Sequence, residues 1–158
     1  MNDDARFEDA GDKPLFLRAE AAEDLQVISS LVQDAVFPVS EMTWRRDERR
    51  FALLINRFRW EDRLAAERRG RPYERVQSLL VFSDVLHVAS QGVDRNDRDL
   101  VLSLLSVTFE PGEDCTGRVV LTLAGDGAIG LDVECLDVTL KDVTRPYVAP
   151  SRKAPKHG

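Results

Sequence analysis

Residues 100–140 read LVLSLLSVTFEPGEDCTGRVVLTLAGDGAIGLDVECLDVTL, and the way this stretch divides decides the fold. It holds three strand-like runs, at about 100–110, 117–124 and 128–135, broken by Pro111-Gly112 and Gly125-Asp126-Gly127. Such breaks suit tight antiparallel connections. Parallel neighbours would need a crossover of about a dozen residues or more, usually a helix, and no helical period intervenes. Parallel βαβ units are therefore excluded. The last run carries a further clue. Leu131, Val133 and Cys135 share one face, yet the apolar set resumes at Leu136, Val138 and Leu140. A one-residue slip turns a strand over, so the chain must bulge, bend or begin a new element near Cys135–Leu136.

Toward the N-terminus, strands are expected at 85–91 and 73–82, separated by Ser83-Asp84. Residues 61–72, EDRLAAERRGRP, lose the pattern and hold one large aliphatic side chain, Leu64, which predicts a long charged loop or a single helical turn. Before it, Met42 and Trp44 alternate with polar neighbours, residues 46–49 supply a turn, and Phe51, Leu53 and Ile55 alternate on the return. That is a hairpin with one buried face. The stretch AAEDLQVISSLVQDAVF changes period: Leu25, Ile28, Leu31, Val32, Ala35 and Val36 form a helical stripe that Pro38 stops. Glu23 and Asp24 sit in its first turn, where carboxylates complement the helix dipole. A short strand at 15–20 precedes it. The expected fold is α+β: a strongly curved antiparallel sheet or partly open barrel with one main helix near the N-terminus. Residues 14–148 form the single domain, between a disordered acidic tail (1–13) and a disordered basic tail (149–158).

The 158 residues are 43% hydrophobic and 32% charged, which excludes fibrous and low-complexity readings. A chain of this size buries roughly 70% of its unfolded surface, enough for one core without metals or disulfides. No run approaches the ~18 apolar residues of a membrane span. The acidic start, MNDDARFEDAGDK, does not read as a secretory signal. With only Cys115 and Cys135, the expectation is a cytoplasmic protein whose thiols are reduced, unbridged and at opposite ends of the intervening hairpins.

Net charge is −6 and unevenly spread: −7 over 1–44, +5 over 45–75, −8 over 76–142 and +4 beyond. An acidic protein repels polyanions at long range, so bulk binding to nucleic acid or anionic membrane is disfavoured. The exception is the middle segment, with eleven arginines and no lysine, interleaved with Trp44, Phe51, Phe58, Trp60 and Tyr73. Guanidinium forks recognise carboxylate and phosphate, and exposed aromatic rings offer stacking surfaces. Arg45, Arg50, Arg68, Arg69 and Arg71 are the candidate contacts for a protein or other anionic partner. The six acids of the segment, among them Asp47, Glu61 and Glu74, argue instead for local neutralisation.

Catalytic and cofactor patterns fail on context. Gly125–Gly130 matches G-x-G-x-x-G, but the residues after it alternate with period two and cannot present the helix N-terminus that holds a pyrophosphate. It reads as a hairpin turn. Two cysteines and one histidine outside the tail provide no zinc spacing, and no cofactor is expected. Cys115 lies in an acidic turn and Cys135 on an apolar face. His87 reads as a partly buried structural residue, and Asp132 with Glu134 as a solvated outer face.

Five stretches together, EDLQVISSLVQDAV, RRFALLINRFRWE, RVQSLLVF, VLSLLSVTFEPGE and GAIGLDVECLDVTL, resemble a small bacterial family known only as a domain of unknown function. The resemblance covers most of residues 15–142 and implies a compact domain, with no activity, cofactor or catalytic residue attached. The residues themselves point first to a non-catalytic cytoplasmic interaction or adaptor module using the arginine-rich hairpin and loop. The alternative is a small ligand-binding barrel or enzyme with a site near His87 and a carboxylate such as Asp84 or Asp132.

Overall fold

Among the described residues every strand pairing is antiparallel. A computed structural model describes residues 13–148, and both tails beyond residue 13 and residue 148 lie outside the described residues. In chain order the elements are β1 (Phe16–Ala19), α1 (Ala22–Leu31), β2 (Val36–Pro38), β3 (Met42–Arg45), β4 (Arg50–Phe58), α2 (Arg63–Arg69), β5 (Glu74–Phe82) and β6 (Val85–Gln91). They continue with β7 (Val101–Pro111), β8 (Gly117–Leu123), β9 (Ala128–Val133), β10 (Val138–Asp142) and β11 (Tyr147–Val148). The sheet order is β1-β10-β5-β4-β2-β7-β8-β9-β6, with β3 added to β4 and β11 to β5. Its two ends, β1 and β6, do not pair, so the sheet is not closed into a barrel.

Period-two alternation fills one core shared by both halves of this sheet. Leu53, Ile55, Leu80, Phe82 and Leu140 enter it from one half, and Leu104, Val119, Leu121, Leu131 and Val133 from the other. Helix α1 seals it with Leu25 and Ile28. At roughly 1.5–3 kcal/mol per fully buried large aliphatic side chain, this shared cluster is the dominant stabilising term.

Two local readings change, and a third is resolved. The helical stripe runs past the helix: α1 stops at Leu31, Asp34 takes a left-handed φ of 64°, and Val36–Pro38 is strand. Pairing with β7 decides this, because Asp34 N–H donates to the Leu104 carbonyl (2.7 Å) and Leu104 N–H to the Ala35 carbonyl (2.8 Å). The charged stretch 61–72 is not a plain loop. A 3₁₀ turn, Trp60–Asp62, leads into α2, and Gly70 at φ 64° closes α2 by donating to the Ala66 and Glu67 carbonyls. Leu, Ala, Glu and Arg are good helix formers and a left-handed glycine is the usual stop, so the signal was present but carried by one buried side chain, Ala66.

Third, the slip at Cys135–Leu136 marks where the chain changes partners. Strand β9 lies between β6 and β8, whereas β10 lies between β1 and β5. The chain leaves one neighbourhood of the sheet and enters another, presenting a new face as it does so. Residues 125–127 form the β8–β9 turn, with Gly125 at φ 80° and Asp126 at φ 69°, and no helix follows.

Candidate functional site

Strand β4 carries arginines at both ends, and the two ends have different fates. At its far end the inward stripe Phe51, Leu53, Ile55 continues into Arg57, whose side chain is fully buried. Ser78 on β5 and Asp142 on β10 continue the inward stripes of their own strands and meet it. Arg57 donates to Ser78 Oγ (3.0 Å), to both Asp142 oxygens (3.0 and 3.2 Å) and, as a fork, to both Glu61 oxygens (2.9 Å each). Burial pulls the Arg57 pKa down, but the Glu61 and Asp142 carboxylates outweigh it and hold the guanidinium above its ordinary value. The charge is locked on.

The neighbouring arginines are equally occupied. Arg59 is buried and donates to Glu74 (2.6 Å). Arg71, expected to be free for a partner, forks onto Asp62 at 2.6 and 2.7 Å. That hydrogen bond is the main reason the Asp62 carboxyl is held below its ordinary range, against the opposing effect of burial. The aromatic rings expected nearby as stacking surfaces stack on one another: Phe58 packs against Trp60 (4.7 Å) and Tyr73 (5.5 Å), and the Trp60 indole N–H donates to the Gln33 carbonyl. Only Arg68 and Arg69 stay exposed here without an ion pair among the described residues; both occupy the last turn of α2, where cations suit the helix dipole.

The other end of β4, about 26 Å away at 3.3 Å per residue, is the hairpin with β3. Arg45 and Arg50 are opposite one another on its outer side, and Glu48 lies 3.8 and 4.0 Å from them. On the inner side, Phe51 is buried, but Met42 and Trp44 are only half-buried, contrary to the expectation of a fully buried face. They wall a pocket of about 220 Å³ between β3 and β6, the strand that ends the sheet order. Val39, Phe51, Val88 and Ile129 complete its apolar lining, and its polar lining consists of Ser90 and three arginines: Arg46, Arg95 and Arg98. Among the described residues no carboxylate lines it.

Two segments place those guanidiniums. Arg46 opens the 3₁₀ turn Arg46–Glu48, which ends with Arg49 in a left-handed conformation (φ 53°). Arg49 anchors that turn by accepting from Val85 N–H (2.9 Å) and pairing with Glu134 (2.8 Å). Arg95 and Arg98 come from the β6–β7 loop, which the sequence marked only as punctuation. Its Arg98 carbonyl accepts from Ser40 N–H (3.0 Å), and the Leu100 carbonyl accepts from Val39 N–H (2.8 Å). The loop is thus pinned beside β3. Arg46 and Arg95 make no ion pair among the described residues, and Arg98 donates weakly to the Ser40 carbonyl (3.4 Å).

A family model described as "Protein of unknown function (DUF2948)" matches residues 15–157. The chain belongs to this family. No curated protein and no solved structure matches it. The DUF2948 match spans both the arginine hairpin and the β6–β7 loop, so both halves of the pocket lie inside the family domain.

The other sequence candidates are scattered. His87 is exposed rather than partly buried; it pairs across β6 and β9 with Asp132, whose carboxylate accepts from Arg118 (2.9 Å). Neither lines the Trp44 pocket. Among the described residues no three His, Cys, Asp or Glu side chains gather as metal ligands, and no helix is long and apolar enough to cross a membrane.

Proposed function

We propose that the protein is a non-catalytic cytoplasmic interaction module, which uses the β3–β6 pocket to hold an acidic segment of a partner protein by one apolar side chain. The observation that carries this reading is the lining: apolar side chains with three guanidiniums and a hydroxyl, and no carboxylate among the described residues. At about 220 Å³ the pocket is smaller than the roughly 300–1,000 Å³ that encloses a whole small molecule. It suits a single anchor residue, the geometry of a protein-interface hot spot. Curvature of the sheet between β3 and β6 would keep this mouth open. Arg45 and Arg50 would add long-range attraction from the outer side of the hairpin. Arg68, Arg69 and Arg71 lie at the far end of β4 and are given no part.

The test uses a library of short acidic peptides, each with one Leu, Phe or Trp, screened against the full-length protein. Binders should shift the indole N–H resonance of Trp44 and leave that of Trp60 in place. Reversing Arg46, Arg95 and Arg98 to Glu should weaken them at least tenfold while the far-ultraviolet spectrum is unchanged. Binding unaffected by the triple reversal, or no binder of this class at all, refutes the reading.

A further inference from the structure

The two cysteines, expected at opposite ends of the hairpins, are brought to the same end. Strands β8 and β9 pair from Thr122–Ala128 down to Gly117–Val133. Cys115, in the turn before β8, and Cys135, in the bend after β9, each lie two residues beyond the last pair of that ladder, at the same end of it. The side chains interact: the Cys115 thiol is the first cause that raises the Cys135 pKa, to about 11, followed by burial and the nearby Asp84 and Glu134 carboxylates. Both thiols are free, with Cys115 exposed and Cys135 half-buried.

The surroundings hold this arrangement from both sides. Glu134, next to Cys135, is pinned by its N–H to the Asp84 carbonyl (2.9 Å) and by its carboxylate to Arg49. The turn bearing Cys115 is closed by Gly112 N–H to Thr116 carbonyl (2.8 Å) and Thr116 N–H to Glu113 carbonyl (3.0 Å). At Gly117 a side chain is barred, because a Cβ there would lie 2.5 Å from the Phe109 ring and 2.6 Å from the Glu110 carbonyl oxygen. The backbone leading to Cys115 is therefore packed close against β7.

We infer that Cys115 and Cys135 form a thiol pair at the end of the β8–β9 ladder, a modification site that low-molecular-weight disulfides oxidise to an intramolecular disulfide. The exposed Cys115 thiolate attacks one sulfur of the small disulfide, forming a mixed disulfide and releasing one small thiol. Cys135 then loses its proton to solvent and attacks the Cys115 sulfur, and the second small thiol leaves. Two protein thiols are oxidised and one small disulfide is reduced to two thiols. The order follows from access and acidity. Cys135 is the less exposed thiol and the one that holds its proton, and the leading cause of that retention, the Cys115 thiol, is gone once Cys115 is in the mixed disulfide.

The experiment exposes the full-length reduced protein, under native conditions, to oxidised glutathione. Intact mass should fall by two hydrogens with no lasting glutathione adduct, and peptide mapping should find Cys115 linked to Cys135. Cys135→Ser should instead accumulate a glutathione adduct on Cys115, at least tenfold above wild type. Closing a loop of about 20 residues should raise the thermal midpoint of the oxidised wild type by roughly 5–10 °C. A stable adduct on wild-type Cys115 equal to that on Cys135→Ser, or only intermolecular dimers, overturns the inference.

Discussion

Arg57→Met tests whether the arginine-rich segment is internal structure at its far end. The substitution keeps the length of the stem and removes the guanidinium. Asp142, only 6% exposed, then retains the Ser78 hydroxyl and the Leu15 N–H but loses its cation. Removing one member of a buried ion pair costs about 3–5 kcal/mol, since the remaining charge is stranded. Glu61 adds little to this, because its side chain is 30% exposed and can return to water. With a urea m-value of about 2 kcal/mol/M, the midpoint should fall by roughly 2 M. Asp142→Asn should be milder, about 1–2 kcal/mol, because Arg57 keeps its fork to Glu61. Combining Arg57→Met with Asp142→Leu removes both charges, so the double variant should lose less than the sum of its single variants by about 1–2 kcal/mol. Equilibrium urea unfolding, followed by tryptophan fluorescence and circular dichroism together, measures each value. An Arg57→Met protein within about 1 kcal/mol of wild type, or strict additivity in the cycle, would refute the account.

Trp44→Ala should cost only about 1–2 kcal/mol, against the ~3–5 of a fully buried aromatic, because Trp44 walls an open pocket; urea unfolding checks this. Reversing Arg68 and Arg69 to Glu should destabilise by no more than about 1 kcal/mol, from the helix dipole alone, which thermal unfolding can read. Asp62 has a folded pKa held below its ordinary value, so its contribution is present above the ordinary carboxylate range and is lost as pH falls through the folded value. Asp62→Asn should therefore lose stability at neutral pH and show a flatter acid limb in a pH series of urea midpoints.

Most strands were legible because their information is local; β2, read as the end of the helical stripe, and the short β11 were not. Alternation in residues 100–140 marks β7, β8 and β9 and excludes crossover helices, and the slip at Cys135–Leu136 marks the crossing to β10. The buried ionic cluster was legible in principle. Arg57, Ser78 and Asp142 each occupy an inward position in an otherwise apolar alternation, and three polar residues on core faces should seek one another. What alternation cannot state is which strands become neighbours. That β10 falls between β1 and β5 is what joins Asp142 to Arg57, across 85 positions of chain.

The pocket was decided wholly by tertiary structure. Its apolar wall, Met42, Trp44 and Phe51, was marked as a hairpin face, but a periodic pattern does not tell a covered face from one left partly open. Arg95 and Arg98 stood in a cluster that reads as a turn, and they become a rim only because backbone bonds from Val39 and Ser40 pin that loop beside β3. The same holds for Cys115 and Cys135, which the β8–β9 pairing leaves just past the same end of its ladder. Composition and periodicity determined the long strands and which of their faces are apolar, since those depend on neighbours two or four residues away. The pairing of distant segments determined where charge is buried, where it is offered and which thiols meet, because electrostatics and covalent chemistry act through distances in space that only the assembled sheet sets.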